Sequence, residues 1–191
     1  MASKDWTGNS VAYSKTLGAS SHATYDRQEH DYYATEPKAV RLFLDIEKFE
    51  VKIWECACGE GSLSEEMKML GYEVYSSDLI DRGYGEVKDF LSIENNQQID
   101  MNIITNPPYK YANDFIVRAL SIMKQNKKLA LFLPIRYLEG KARKKIFKEN
   151  PPKIIYVSSS RLICAINGEF HKQKNSAVSY AWFVWEKGYQ G

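Results

Sequence analysis

Cysteine is scarce: only Cys56, Cys58 and Cys164 occur in 191 residues. Three thiols cannot all pair, and Cys56 and Cys58 lie too close in an extended segment for an easy disulfide. Cys56 is expected to face the core. A disulfide framework is therefore excluded, and a reducing, cytoplasmic setting is expected. Cys-x-Cys raises the question of a metal, but no second Cys or His pair completes a ligand set, so no metal is expected. Long apolar runs are absent too. None reaches the roughly 20 residues that span a bilayer, and the start of the chain lacks the apolar stretch of a secretory signal. There is no internal repeat and no low-complexity tract. Charge of one sign does not dominate, since the formal net charge is +2, and 44% of residues are hydrophobic. One domain with a full core is the expected outcome.

What is present begins with a nucleotide-type unit. Lys52-Ile53-Trp54-Glu55-Cys56-Ala57-Cys58-Gly59-Glu60-Gly61 reads as a short strand entering a Gly-x-Gly loop. Ser62 to Leu70 reads as a helix, with Ser62 as N-cap and Gly71 just past its end. Glu73 to Asp78 reads as a second strand closing on an acid. Strand, glycine loop, helix, strand and acid form the βαβ arrangement that binds nucleotides. The acid accepts hydrogen bonds from ribose hydroxyls. The dinucleotide fingerprint is incomplete, because Ser64 stands where its third glycine belongs. No basic residue is there to hold a pyrophosphate, and Glu55 and Glu60 would repel one. A nicotinamide dehydrogenase is excluded on both grounds. An acidic glycine loop suits a ligand with a ribose and a positive charge, and S-adenosylmethionine fits that description.

Asn106-Pro107-Pro108-Tyr109 carries the second signal. It follows Ile99 to Thr105, an apolar run that reads as a buried strand, so it sits at a strand end, where α/β sheets bind ligands. Two prolines hold the chain extended and remove two donors. An Asn carbonyl, a proline carbonyl and an aromatic face then converge, which suits a flat group carrying an exocyclic NH2. Tyr109 to Gln125 reads as the following helix. Lys128 to Leu133, Lys153 to Val157 and Ser179 to Trp185 read as further strands. Pro37 starts an earlier helix, capped by Thr35 or Glu36, with Val40, Phe43, Leu44 and Ile46 on its buried face. The order of elements predicts an open, mostly parallel α/β sheet.

These motifs together resemble the class I S-adenosylmethionine-dependent methyltransferases that methylate amino groups. Glu55 to Gly61 matches the cofactor loop E-x-x-x-G-x-G, and Asn106 to Tyr109 matches the catalytic [DNS]-P-P-[YFW] motif. Asp78 matches the acid after the second strand, Asp89-Phe90 resembles the pair near the cofactor adenine, and Asp31 to Pro37 resembles the segment that closes over its methionine end. In that segment Glu36 separates a Thr and Pro that the family often has adjacent. With Trp6-Thr7-Gly8-Asn9-Ser10 included, the pattern is most similar to small phage- or prophage-encoded DNA adenine methyltransferases. The resemblance spans roughly residues 31 to 186. It implies a Rossmann-like sheet ending in an antiparallel hairpin. It also implies cofactor contacts from Tyr33, Thr35, Pro37, Glu55, Cys56, Ala57, Gly59, Gly61, Asp78, Leu79, Asp89, Phe90 and Asn106, with S-adenosylhomocysteine as product. Catalysis is implied for Asn106, Pro107, Pro108 and Tyr109. For a phage-encoded protein the setting would be the bacterial cytoplasm.

Charge placement bears on the substrate. Arg136, Lys141, Arg143, Lys144, Lys145, Lys148 and Lys153 face only Glu139 and Glu149 in their stretch. This segment follows the strand expected beside the catalytic strand, so it flanks the cleft. His171, Lys172 and Lys174 form a second cluster. Arg136, Lys141, Arg143, Lys144, Lys145, His171, Lys172 and Lys174 are the expected DNA contacts. The same tetrapeptide would equally serve RNA bases or a protein glutamine side chain, because all present a planar NH2. A binding module without activity is the remaining alternative, and the intact Asn106 and glycine loop argue against it. Residues 1–34, rich in small polar residues and tyrosines, read as an arm that orders on the domain or on ligand. Residues 35–191 read as the methyltransferase domain. No separate large target-recognition domain is expected, and only Ser158 to Ala177 is available to read sequence.

Overall fold

The computed structural model describes residues 33–160, 162–166 and 178–191. The arm up to Tyr32 and the cluster His171, Lys172 and Lys174 lie outside the described residues. Among the described residues the central sheet has seven strands. They are β2 (Lys52–Glu55), β3 (Glu73–Asp78), β4 (Glu86–Val87), β5 (Asn102–Thr105), β6 (Lys128–Pro134), β7 (Ile154–Val157) and β9 (Tyr180–Glu186). Their spatial order is β4-β3-β2-β5-β6-β9-β7. Pairings from β4 to β6 are parallel, and β9 is antiparallel to both β6 and β7. The expected C-terminal hairpin is therefore present.

Both faces of the sheet are covered, and the sequence alternates accordingly. Trp54, Ile103, Leu129, Leu131, Phe183 and Trp185 pack with α3 (Ala112–Ile122), through Phe115, Ile116, Ala119 and Ile122. Ile53, Ile104, Ala130, Phe132, Trp182 and Val184 pack on the other face against α1 (Pro37–Ile46) and α2 (Ser62–Met69). A short helix α4 (Lys144–Glu149) follows β6. Within α1, Ala39, Val40, Phe43 and Leu44 are buried, but Ile46 is 61% exposed. Ile46 is the last residue of the helix and sits at the margin of the stripe centred on Val40 and Leu44.

Boundaries shift where backbone geometry overrides composition. Glu36 is the N-cap residue of α1 and Pro37 its first position. Gly61, with φ of 86°, is the N-cap of α2, so Ser62 is the first helical residue rather than the cap. The helix expected from Tyr109 begins as a 3-10 turn over Tyr109–Tyr111 and becomes α-helical at Ala112. Of the strand expected from Ile99, only Asn102–Thr105 is regular; Ile99 makes a single bridge to Met123.

A second, two-stranded sheet joins distant parts of the chain. β1 (Tyr33–Thr35) runs antiparallel to β8 (Cys164–Ile166), with Thr35 opposite Cys164. Beyond the strands, the Glu36 N–H donates to the Ile163 carbonyl at 3.0 Å and the Ile163 N–H donates to Glu36 Oε1 at 2.7 Å. The stretch from Ser158 to Ala177, named above as the one available to read sequence, thus contributes the strand β8.

Candidate active site

The order of strands reverses between β2 and β5, and such a switch point is where open α/β sheets bind ligands. A cleft of about 580 Å³ lies there. Glu55 ends β2, Asp78 ends β3, and Asn106 follows β5, so three separate strands deliver their polar side chains to one cavity.

Asp78 is held by backbone donors. Gly59 N–H reaches its Oδ2 at 2.8 Å and Ile80 N–H its Oδ1 at 3.0 Å. This fixes the carboxylate across from the glycine loop. Gly59 and Gly61 do not line the cleft themselves. Gly59, with φ of 55°, presents its N–H to Asp78. At Gly61 a Cβ would lie 2.5 Å from the Tyr84 ring, so the missing side chain lets Tyr84 close over the loop. Tyr84 in turn donates to Glu65 at 2.5 Å and accepts from Lys68 at 2.8 Å.

Glu55 is 2% exposed. Ser64 Oγ donates to its Oε2, and Ser64 and Ser76 hydroxyls are 2.6 Å apart. Burial, aided by the nearby Asp78 charge, pushes the Glu55 carboxyl up to about 8. A cation placed beside it would restore the ionised form. Ser64, noted in the sequence only for not being glycine, is thus the group that holds Glu55.

The tetrapeptide is anchored at both ends. Asn106 Nδ2 donates to Thr35 Oγ1 at 2.8 Å, and the Tyr109 hydroxyl lies 3.5 Å from Cys164 Sγ. The Asn106 oxygen is shielded from solvent. The Pro108 carbonyl accepts from Tyr111 N–H at 2.8 Å, which spends it on the 3-10 turn. Pro107 lines the cleft beside it. The Tyr109 ring is tilted 37° to Tyr180 at 6.0 Å. Burial raises the Tyr109 hydroxyl well above its ordinary value and the Cys164 thiol to about 11.

Thr35, Glu55, Cys56, Ala57, Asp78, Leu79, Asp89, Phe90, Asn106, Pro107, Pro108 and Tyr109 all line the cleft. Pro37 does not, because it begins α1, and the Tyr33 side chain lies outside what is described. Cys56 is buried as expected. Asp89 caps the 3-10 turn Phe90–Ser92, accepting from Leu91 N–H at 2.9 Å. Phe90 is 2% exposed and packs between Trp54 and Phe115 at 5.3 and 4.9 Å. Among the wall residues that the sequence did not single out are Ile80, Arg82, Leu91, Lys110, Tyr111 and Phe115. Their signal was adjacency alone: each stands within a few residues of a motif.

The basic segment separates into two kinds of residue. Arg136, Lys141, Lys144 and Lys145 are exposed, and Lys145 reaches Glu149 at 3.8 Å. Arg143 is used internally. Its guanidinium lies 4.6 Å from the Tyr137 ring centroid and donates to the carbonyls of Arg136, at 3.1 Å, and Glu139. Arg143, one of the expected DNA contacts, is half-buried and tied to its own segment by these three contacts.

Sheet order, hairpin and cleft position define the class I methyltransferase fold, which is Rossmann-like. No family model matches the chain, and no curated protein matches it. Solved structures do. A protein from Pyrococcus horikoshii described as a candidate RNA methyltransferase superposes with a TM-score of 0.61 at 15% identity, over 83% of this chain and 87% of the other. An S-adenosylmethionine-dependent O-methyltransferase from Thermotoga maritima gives 0.51 at 16% identity, over 81% and 65%. A class I S-adenosylmethionine-dependent methyltransferase candidate from Listeria monocytogenes gives 0.51 at 16% identity, over 78% and 58%. At these identities the likeness establishes the fold.

Proposed function

We propose that this protein transfers a methyl group from S-adenosylmethionine to the exocyclic N6 amine of adenine in DNA. The observation that carries this reading is the meeting of Glu55, Asp78 and Asn106-Pro107 in one cleft. The cleft's size falls within the roughly 300–1,000 Å³ of small-molecule sites. A buried carboxyl raised to about 8 is a fitting partner for the cofactor's ammonium. Asp78, pre-oriented by Gly59 and Ile80, suits ribose hydroxyls. Leu79, Ile80, Phe90 and Leu91 supply the apolar wall that a purine ring needs.

When bound, the cofactor supplies a methyl group already activated on a sulfonium, so no metal or covalent enzyme intermediate is required. The work of the chain is positioning. An adenine N6 amine is a poor nucleophile while its lone pair is delocalised. The Asn106 oxygen and the Pro107 carbonyl would accept its two N–H bonds and draw the nitrogen towards tetrahedral geometry. Pre-aimed acceptors then stabilise the positive charge that develops on the nitrogen. Tyr109 offers an aromatic face for the base. A base within a duplex must flip out to enter such a site. The exposed Arg136, Lys141, Lys144 and Lys145, on the segment after β6, suit a phosphate backbone and favour nucleic acid over a protein glutamine.

Incubation with methyl-labelled S-adenosylmethionine and DNA, RNA or protein, followed by digestion and chromatography, tests the reading. Label in N6-methyldeoxyadenosine is the expected result. Label confined to RNA or to glutamine would overturn the DNA assignment.

A further inference from the structure

Thr35 is assigned by resemblance to the methionine end of the cofactor, yet its closest polar neighbour is the tetrapeptide. Its side chain is 2% exposed, and its Oγ1 accepts from Asn106 Nδ2 at 2.8 Å. On its other side Cys164 Sγ lies at 3.9 Å, and that thiol also meets the Tyr109 hydroxyl at 3.5 Å. Thr35 and Cys164 are register partners across β1 and β8. One rung of a two-stranded ribbon therefore touches the first and the last residue of Asn106-Pro107-Pro108-Tyr109.

The chemistry of an amide makes this contact directional. A carboxamide has one donor arm and one acceptor arm about 120° apart, and rotating it by half a turn exchanges them. A substrate amine needs the acceptor arm. By accepting from Asn106 Nδ2 at 2.8 Å, the Thr35 hydroxyl holds the orientation in which nitrogen faces Thr35, and its contact with Cys164 Sγ, in which either atom can donate, seats it there. The oxygen is then the arm offered to the incoming amine. We propose that Thr35, seated by Cys164 on the β1–β8 ribbon, is a positioning residue that fixes the orientation of the Asn106 amide for methyl transfer. This rests on the amine-methylating reading of the site. It gives β1 and β8 a common purpose and explains why β8 meets the tetrapeptide.

The test compares Thr35→Val, which keeps the shape and loses the acceptor, with Thr35→Ser, which keeps the acceptor. Single-turnover methyl transfer at saturating cofactor should fall at least about tenfold in Thr35→Val and return to within about threefold of wild type in Thr35→Ser, a smaller loss than removing the acceptor itself. The dissociation constant for S-adenosylhomocysteine should stay within about twofold, which also shows that the variant is folded. An unchanged rate, or a loss that appears only in cofactor affinity, overturns the proposal and returns Thr35 to the methionine end. A second readout needs no substrate. In protein labelled with 15N-asparagine, the side-chain NH2 signals of Asn106, assigned by their loss in Asn106→Asp, should show one proton slowed in exchange, and Thr35→Val should abolish that protection. Equal exchange of both protons in wild type would overturn the positioning role. Absence of any adenine methylation by wild type would instead sink the functional reading, leaving the amide measurement to judge Thr35 on its own.

Discussion

The backbone N–H of Gly59 donates to the Asp78 carboxylate at 2.8 Å, which makes the loop after β2 and the acid that ends β3 a single unit. Asp78→Ala should both weaken S-adenosylmethionine binding by about 1–3 kcal/mol, the range for losing charged hydrogen bonds, and loosen the loop. Calorimetry measures the first effect, and hydrogen exchange at Gly59 and Ile80 the second. Unchanged affinity would remove Asp78 from the site.

Gly61→Ala tests the same loop through its backbone. A φ of 86° disfavours any L side chain, and the new methyl would meet the Tyr84 ring. A destabilisation of about 1–3 kcal/mol is expected in denaturant unfolding. Adding Tyr84→Ala should relieve the clash but not the backbone strain, so rescue should be partial. Full rescue would show that the positive φ costs nothing here.

Burial raises Glu55 to about 8 from an ordinary value of 4.5. The folded ligand-free protein therefore holds this proton more tightly than the unfolded chain. Its contribution to stability is fully present below about 4.5 and is lost as pH rises through about 8. Glu55→Gln should flatten the stability profile across that window. Binding of a cationic cofactor near neutral pH should release this proton. The calorimetric enthalpy should then differ between buffers of different ionisation heat, and Glu55→Gln should abolish the difference. A buffer-independent enthalpy at pH 7 in wild type would place the cation elsewhere.

Much of the site was legible because it depends on local chemistry. A strand running into Gly-x-Gly, an acid ending the next strand and a Pro-Pro tetrapeptide are local patterns, and their convergence follows from the parallel sheet. Contacts between distant segments were not legible. β1 and β8 are three residues each and about 130 residues apart, too short to show a period, although Leu162 to Ile166 is an apolar run of strand length. Tyr84 over Gly61 and Ser64 on Glu55 likewise depend on packing between elements. The charge run was visible as composition, but its division into exposed lysines and an Arg143 laid against the Tyr137 ring depends on where Tyr137 sits.

That division makes a prediction. Lys141, Lys144 and Lys145 changed together to Glu should weaken DNA binding and reduce its salt dependence, with cofactor affinity intact. Arg143→Ala should act differently, lowering stability by about 1 kcal/mol through the lost ring and carbonyl contacts. Filter binding over a salt series and thermal unfolding separate the two. Unaltered DNA binding in the triple variant would reduce the segment to a solvated face.

The central claim is that Asn106 accepts from the substrate amine. Single-turnover methylation of adenine-containing DNA by Asn106→Ala, at saturating S-adenosylmethionine, tests it most directly. The rate should fall on the order of a hundredfold or more, as when one well-placed transition-state hydrogen-bonding group is removed, while cofactor affinity is largely retained. A near-normal rate in the variant would contradict the account.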